Sequence, residues 1–273
     1  MREQVTTTDY GAMDSPAVLQ VLFHPRRAAA GRVPPGAENL DIEVEPGVRL
    51  GCRLFLASAP AAPLVLYFHG NGEMVSDYDE IGAEYSRRGI HLLLTTYRGY
   101  GWSDGRPTAS LMMADAERLY RAARKLMATR GLTGGLWLMG RSLGSAGAIE
   151  LAAAHDGDLA GLIIESGFAD TLPLARTLGL RWAEERMTEA DGFRNAEKMG
   201  RVTRPTLILH GAGDTLIPPW QAEKLAERSA AGRKRLVLLD GAGHNTMLLV
   251  GGAAYFETIR DFMARNAEGR NDR

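Results

Sequence analysis

From residue 64 onward, short apolar runs alternate with longer stretches of helical period. The runs are Leu64 to Phe68, Ile90 to Thr95, Gly135 to Met139, Leu159 to Ile164, Thr206 to Leu209 and Leu236 to Leu239. Each is apolar at consecutive positions, which predicts strands covered on both faces. Between them, Met112, Ala116, Leu119, Ala123 and Leu126 recur at spacings of four and three. That predicts a helix opening after Thr108 as N-cap and stopping at Gly131. Strands alternating with helices imply right-handed crossovers and a mostly parallel sheet, an α/β fold with helices on both faces. Ahead of this pattern, Ile42 to Glu45 and Val48 to Leu56 flank Pro46-Gly47 and predict an antiparallel hairpin.

One interval breaks the rhythm. Residues 168–203 are rich in charge, and Leu172, Leu174, Leu178, Leu180 and Trp182 are irregularly placed. The length predicts a short helical lid inserted over the sheet within a single domain spanning 1–273.

Composition narrows the classes. Apolar residues make up 45% of the chain, enough for a sizeable core. The 32 Lys and Arg nearly balance the 33 Asp and Glu, so charge gives no reason to expect a nucleic acid or anionic membrane partner. The single cysteine, Cys52, rules out an internal disulfide and reads as a buried filler. The arm from Met1 to Tyr10 is polar and has no apolar targeting core, and no stretch is long enough to span a bilayer. Together these features predict cytoplasmic residence.

The candidate chemistry lies where apolar runs end. Gly140-Arg141-Ser142-Leu143-Gly144 follows one run and precedes a helix candidate beginning near Ser145. A serine on so sharp a turn needs small neighbours two positions to either side, and the turn lifts its hydroxyl above the sheet. The following helix directs its N-terminal dipole at the same place. The competing reading is a helix-start serine between packing glycines. His69-Gly70-Asn71-Gly72 follows the run Leu64 to Phe68. There the backbone N–H of Asn71, with that of Leu143, is suited to hold an oxyanion. His69 itself reads as structural.

His210-Gly211-Ala212-Gly213-Asp214 and Asp240-Gly241-Ala242-Gly243-His244 follow two further runs. Singly, an Asp after a strand is often a turn former and a loop histidine is usually solvated. In order, and in register with strand ends, Ser142, Asp214 and His244 form a candidate nucleophile, acid and base. Glu165 and Asp240 are the alternative acids, and Asp240 reads better as a turn residue.

These residues carry a family resemblance. The stretches YFHGNGE (67–73), YRGYGWSDGRPT (97–108), MGRSLGS (139–145), IESGFAD (164–170), FRNAEKM (193–199), LILHGAGDTLIP (207–218) and GAGHN (241–245) span most of the chain. The chain resembles the α/β-hydrolase superfamily, and within it the Bem46-like and ABHD13/ABHD17-like hydrolases. The resemblance implies an α/β-hydrolase fold and an acyl hydrolase using Ser142, Asp214 and His244. Relatives include esterases and depalmitoylating thioesterases. The chain departs at Thr96, where the family often has Asp, and at Ser145, where Gly is frequent. Dehalogenases of the fold share HGN but use an Asp nucleophile, against which Ser142 argues.

The expected reaction is cleavage of a small-molecule acyl ester or thioester through an acyl-enzyme, with neither metal nor organic cofactor. A serine peptidase or acyltransferase would use the same three residues. A non-catalytic binding protein of the same fold is the rival from another class.

Overall fold

The hairpin forms β1 (Ala37–Glu45) and β2 (Val48–Phe55), and the six apolar runs form the remaining strands of the sheet. These are β3 (Leu64–Phe68), β4 (His91–Thr95), β5 (Leu136–Arg141), β6 (Gly161–Glu165), β7 (Thr206–Gly211) and β8 (Lys234–Leu239). The sheet has the order β1-β2-β4-β3-β5-β6-β7-β8. β2 runs antiparallel to β1 and β4, and the other neighbouring pairs are parallel. This computed structural model describes residues 9–267. All but the last two residues of the polar arm from Met1 to Tyr10 lie outside that range, as does the far end of the proposed 1–273 domain.

The helices are α1 (Pro16–Leu22), α2 (Asp79–Arg87), α3 (Ala109–Arg130), α4 (Gly144–Ala154), α5 (Thr171–Thr177), α6 (Ala183–Arg186), α7 (Asn195–Met199), α8 (Trp220–Arg228) and α9 (Met247–Ala267). At the start of α3 the Thr108 hydroxyl accepts from Leu111 N–H at 3.1 Å, and at its end Gly131 takes the left-handed conformation. None of the helices among the described residues is long and apolar enough to cross a membrane.

Consecutive strand residues feed two different cores, which explains why the runs lack polar alternation. Leu64, Leu66 and Phe68 of β3 and Leu136 and Leu138 of β5 pack with Leu119 of α3, Ile149 of α4 and Leu225 of α8. Their neighbours Val65, Tyr67, Trp137 and Met139 pack on the other face with Tyr85 of α2 and Ile259 and Phe262 of α9. Each fully buried Leu or Ile adds about 1.5–3 kcal/mol to the burial term.

β3 lies between β4 and β5, so the chain runs outward to β4 and then returns past β3. The order therefore reverses between β3 and β5. In open α/β sheets the crevice outside the strand ends at such a point receives the ligand.

The interval 168–203 contains α5, α6 and α7 with a short 3-10 turn at Glu189–Asp191. α7 packs against α4 and α8, so the end of the interval belongs to the body. A third cluster joins Leu180, Ala183 and Phe193 of this interval to Met13, Val18 and Leu22 near the N-terminus, and both to Leu143 and Ile217. The irregular spacing noted in the sequence follows, because these apolar residues face a cluster assembled from several elements.

Candidate active site

The turn from β5 into α4 holds Ser142 at φ 51°, a left-handed conformation that an L-residue adopts only when its surroundings enforce it. Two contacts do so: Ser142 N–H donates to the Glu165 carbonyl at 2.9 Å, and Ser145 N–H donates back to the Ser142 carbonyl at 3.0 Å. The flanking glycines are required by space. A Cβ on Gly140 would lie 2.4 Å from the Gly144 carbonyl oxygen, and one on Gly144 would lie 2.1 Å from that of Phe68. Gly144 thus lets the end of β3 and the Ser142 turn meet. Gly144→Ala is expected to lower stability by about 1–3 kcal/mol, the usual range for overpacking. Urea unfolding checks this, and an unchanged midpoint would mean the two segments separate freely.

His244 Nε2 lies 3.0 Å from Ser142 Oγ, and His244 Nδ1 lies 2.8 Å from Asp214 Oδ2. An ionised carboxylate only accepts, so Nδ1 carries the proton and the Nε2 lone pair faces the Ser142 hydroxyl. The other Asp214 oxygen, Oδ1, accepts from the N–H groups of Leu216 at 3.0 Å and Ile217 at 2.8 Å. Burial raises the Asp214 pKa. The hydrogen bonds from His244 and Ile217 and the nearby imidazoles outweigh this and hold the carboxyl below the usual carboxylate range.

His210 also faces Asp214, with Nε2 3.4 Å from Oδ2 and 2.7 Å from the Ile217 carbonyl oxygen. A carbonyl can only accept, so this Nε2 bears the proton. Burial lowers the His210 pKa, against the pull of Ile217 and Asp214.

The loop after β3 is held from the N-terminal side. His24 N–H and the Tyr100 hydroxyl both donate to Asn71 Oδ1, at 2.8 and 2.7 Å, and the Asn71 amide nitrogen meets His24 Nδ1 at 2.8 Å. Arg26 donates to the Gly72 carbonyl at 3.1 Å and pairs with Asp77. Beneath the loop, His69 bonds the Gly70 carbonyl at 2.7 Å and the Thr96 hydroxyl at 3.0 Å. The departure at Thr96 therefore still partners His69. Ser145 uses its hydroxyl on the Ser142 carbonyl at 2.6 Å.

Sequence reasoning missed the charged group under the site. Arg141 Nε meets Glu165 Oε1 at 3.2 Å, and its Nη1 pairs with Glu73. Its Nη2 donates to the His244 carbonyl at 2.9 Å and to Asn245 Oδ1 at 3.0 Å. Tyr255 donates to Glu165 at 2.6 Å, and Glu73 accepts from Gly70 N–H at 2.6 Å and from the Tyr78 hydroxyl. Burial opposes the charge on Arg141, but Glu165 and Glu73 more than offset this and keep its pKa raised. Burial pushes both phenols up, helped by Glu73 and Glu165 at Tyr78 and by Glu165 at Tyr255, so they stay protonated and donate. Glu165, weighed above as an alternative acid, is thus committed to Arg141 and Tyr255. Asp240 is exposed at the turn after β8. A signal was present in the sequence: opposite charges end two apolar strands, and Arg141 and Glu165 fall at paired positions of β5 and β6.

This sheet and its serine turn define an α/β hydrolase. A family model described as serine aminopeptidase, S33, matches residues 59–191. An uncharacterized protein of Mycobacterium tuberculosis is 31% identical over 242 residues, covering 88% of this chain and 83% of its own. Human alpha/beta hydrolase domain-containing protein 17B is 30% identical over 224 residues, covering 80% and 72%. Among solved structures, Est1E of Butyrivibrio proteoclasticus with ferulic acid bound aligns with a TM-score of 0.70 at 21% identity, covering 82% of this chain and 99% of that one. A Pyrococcus furiosus esterase aligns at 0.72 and 17%, covering 88% and 98%. At those identities the structures speak to fold alone. The chain belongs to the α/β-hydrolase family, in the group that includes the alpha/beta hydrolase domain-containing 17 proteins.

Proposed function

We propose that the protein is a serine hydrolase that cleaves an acyl ester or thioester through an acyl-enzyme. The observation that carries the reading is the continuous path of hydrogen bonds from Ser142 Oγ through His244 to Asp214. In the first half-reaction His244 Nε2 takes the hydroxyl proton as Ser142 Oγ attacks the acyl carbonyl. The backbone N–H groups of Asn71 and Leu143 receive the oxyanion. His244 then returns the proton to the departing alcohol or thiol, leaving the acyl group on Ser142. In the second half-reaction His244 deprotonates water, which attacks the acyl carbonyl, and the proton goes back to Ser142. Asp214 holds the imidazole tautomer and stabilises its charged form. The interval 168–203 serves in this reading as the lid that shapes the acyl pocket, and the chemistry suits a small-molecule substrate. The lone, buried thiol of Cys52 suits a cytoplasmic setting.

A serine peptidase is the second reading, favoured by the description of the matching family model. An aminopeptidase needs an available negative charge for the substrate ammonium. The two carboxylates beside the serine turn, Glu73 and Glu165, are both paired with Arg141, which favours the ester reading. Turnover of p-nitrophenyl esters of graded acyl length, acyl thioesters and aminoacyl anilides separates the two. Ester or thioester cleavage exceeding anilide cleavage by at least about 100-fold in kcat/KM is expected, about 2.7 kcal/mol of transition-state discrimination. Activity on the anilides alone would overturn the assignment.

A further inference from the structure

Two separate ties hold the His244 loop. Before His244, Gly213 N–H donates to the Ala242 carbonyl at 2.9 Å, joining this loop to the one that carries Asp214. After the imidazole, a single nitrogen of Arg141 holds the His244 carbonyl and the Asn245 side chain. The first tie governs the spacing of Asp214 and His244. The second spans from the residue adjoining Ser142 to the backbone of His244, and so governs the spacing of Ser142 and His244. The same guanidinium reaches Glu73, whose carboxylate holds Gly70 N–H next to Asn71.

We propose that Arg141 is a positioning residue that sets the register between the Ser142 turn, the His244 loop and the loop bearing Asn71. Burial supports a directional role. The Arg141 side chain is 11% exposed and that of Glu165 is 1% exposed, so neither gains much from water. A planar fork with five donors can serve Glu165, Glu73 and His244 at once, whereas the three donors of an ammonium radiate from one atom. Lysine would keep the charge for the carboxylates and lose the reach to the His244 carbonyl. The inference rests on the proposed roles of Ser142 and His244.

The test compares Arg141→Lys, Asn245→Ala and Ser142→Ala with the wild-type chain, using ester turnover and the saturating rate of labelling by a fluorophosphonate, both per folded molecule. Arg141→Lys is expected to lower kcat and the maximal labelling rate by about 10- to 100-fold with KM nearly unchanged, the scale of a misplacement near 1 Å. Asn245 is exposed, so Asn245→Ala should leave the unfolding midpoint in place and lower the same two rates by a smaller factor, about threefold to tenfold. The downfield Nδ1–H proton signal of the His244–Asp214 pair should persist in both variants, since the Gly213–Ala242 tie is intact. A lowered midpoint with kcat and labelling unchanged per folded molecule would overturn the proposal and leave Arg141 as an internal ion cluster. If Arg141→Lys does not fold, unchanged rates in Asn245→Ala overturn it. Labelling of Ser142→Ala would instead remove the underlying reading of the site.

Discussion

Ser142→Ala is expected to lower turnover by about a million-fold, the scale seen when a hydrolase of this kind loses its nucleophile, and to end fluorophosphonate labelling. The remaining donors would still bind and polarise an acyl group, so a residue of catalysis about 10³–10⁴-fold above water is expected to persist. The fold should be little changed. The hydroxyl is the only group removed, and the left-handed backbone at 142 strains alanine about as much as serine. Equal unfolding midpoints in urea, with a mass shift on labelling in the wild type alone, check this. Labelling of the variant at the wild-type rate would move the nucleophile elsewhere.

Asp214→Asn should lower kcat by about 10⁴-fold while the chain stays folded. The direction follows from the way the carboxylate is clamped. One oxygen accepts two backbone N–H groups, from Leu216 and Ile217, and an amide must present its oxygen there. Its NH2 then faces His244 Nδ1 and turns that nitrogen into an acceptor. The imidazole proton moves to Nε2, which can no longer take the Ser142 proton. His210 Nε2, 3.4 Å from the same position, would face a donor in place of an acceptor, adding a modest loss of stability. Steady-state kinetics beside thermal unfolding separates the two effects. A loss of less than about tenfold would mean that another group sets the tautomer.

The strands at the centre of the sheet were legible because both of their faces are buried, so composition alone marked β3, β5 and β6 to within one or two residues. β1 was read short. Its first residues, Ala37 to Leu40, lie half-buried at the sheet edge, where Glu38 meets Arg130 and Asn39 accepts from Arg53, so they lack a continuous apolar run. Ser142, Asp214 and His244 stood out because each follows a strand on a glycine-rich loop, and local sequence carries that signal. The Arg141 network carried a weaker one. Its members come from β5, β6, the loop after β3 and the loop after β8, and only the sheet order tells which of them meet. The role of His24 is hidden for the same reason, since its partner Asn71 is 47 residues away and neither residue has a periodic context.

That separation bears on how the protein is made. Residues 10–26 leave the ribosome before the groups they fasten to: Asn71, then the Gly101 N–H that donates to the Arg26 carbonyl at 2.8 Å. Lys198, which meets the Tyr10 hydroxyl at 2.7 Å, is later still. These residues thus cannot be fully seated until those downstream partners have been made. Throughout translation of the middle of the chain, the apolar side chains of Met13, Val18, Leu22 and Phe23 have to stay unattached without finding another surface.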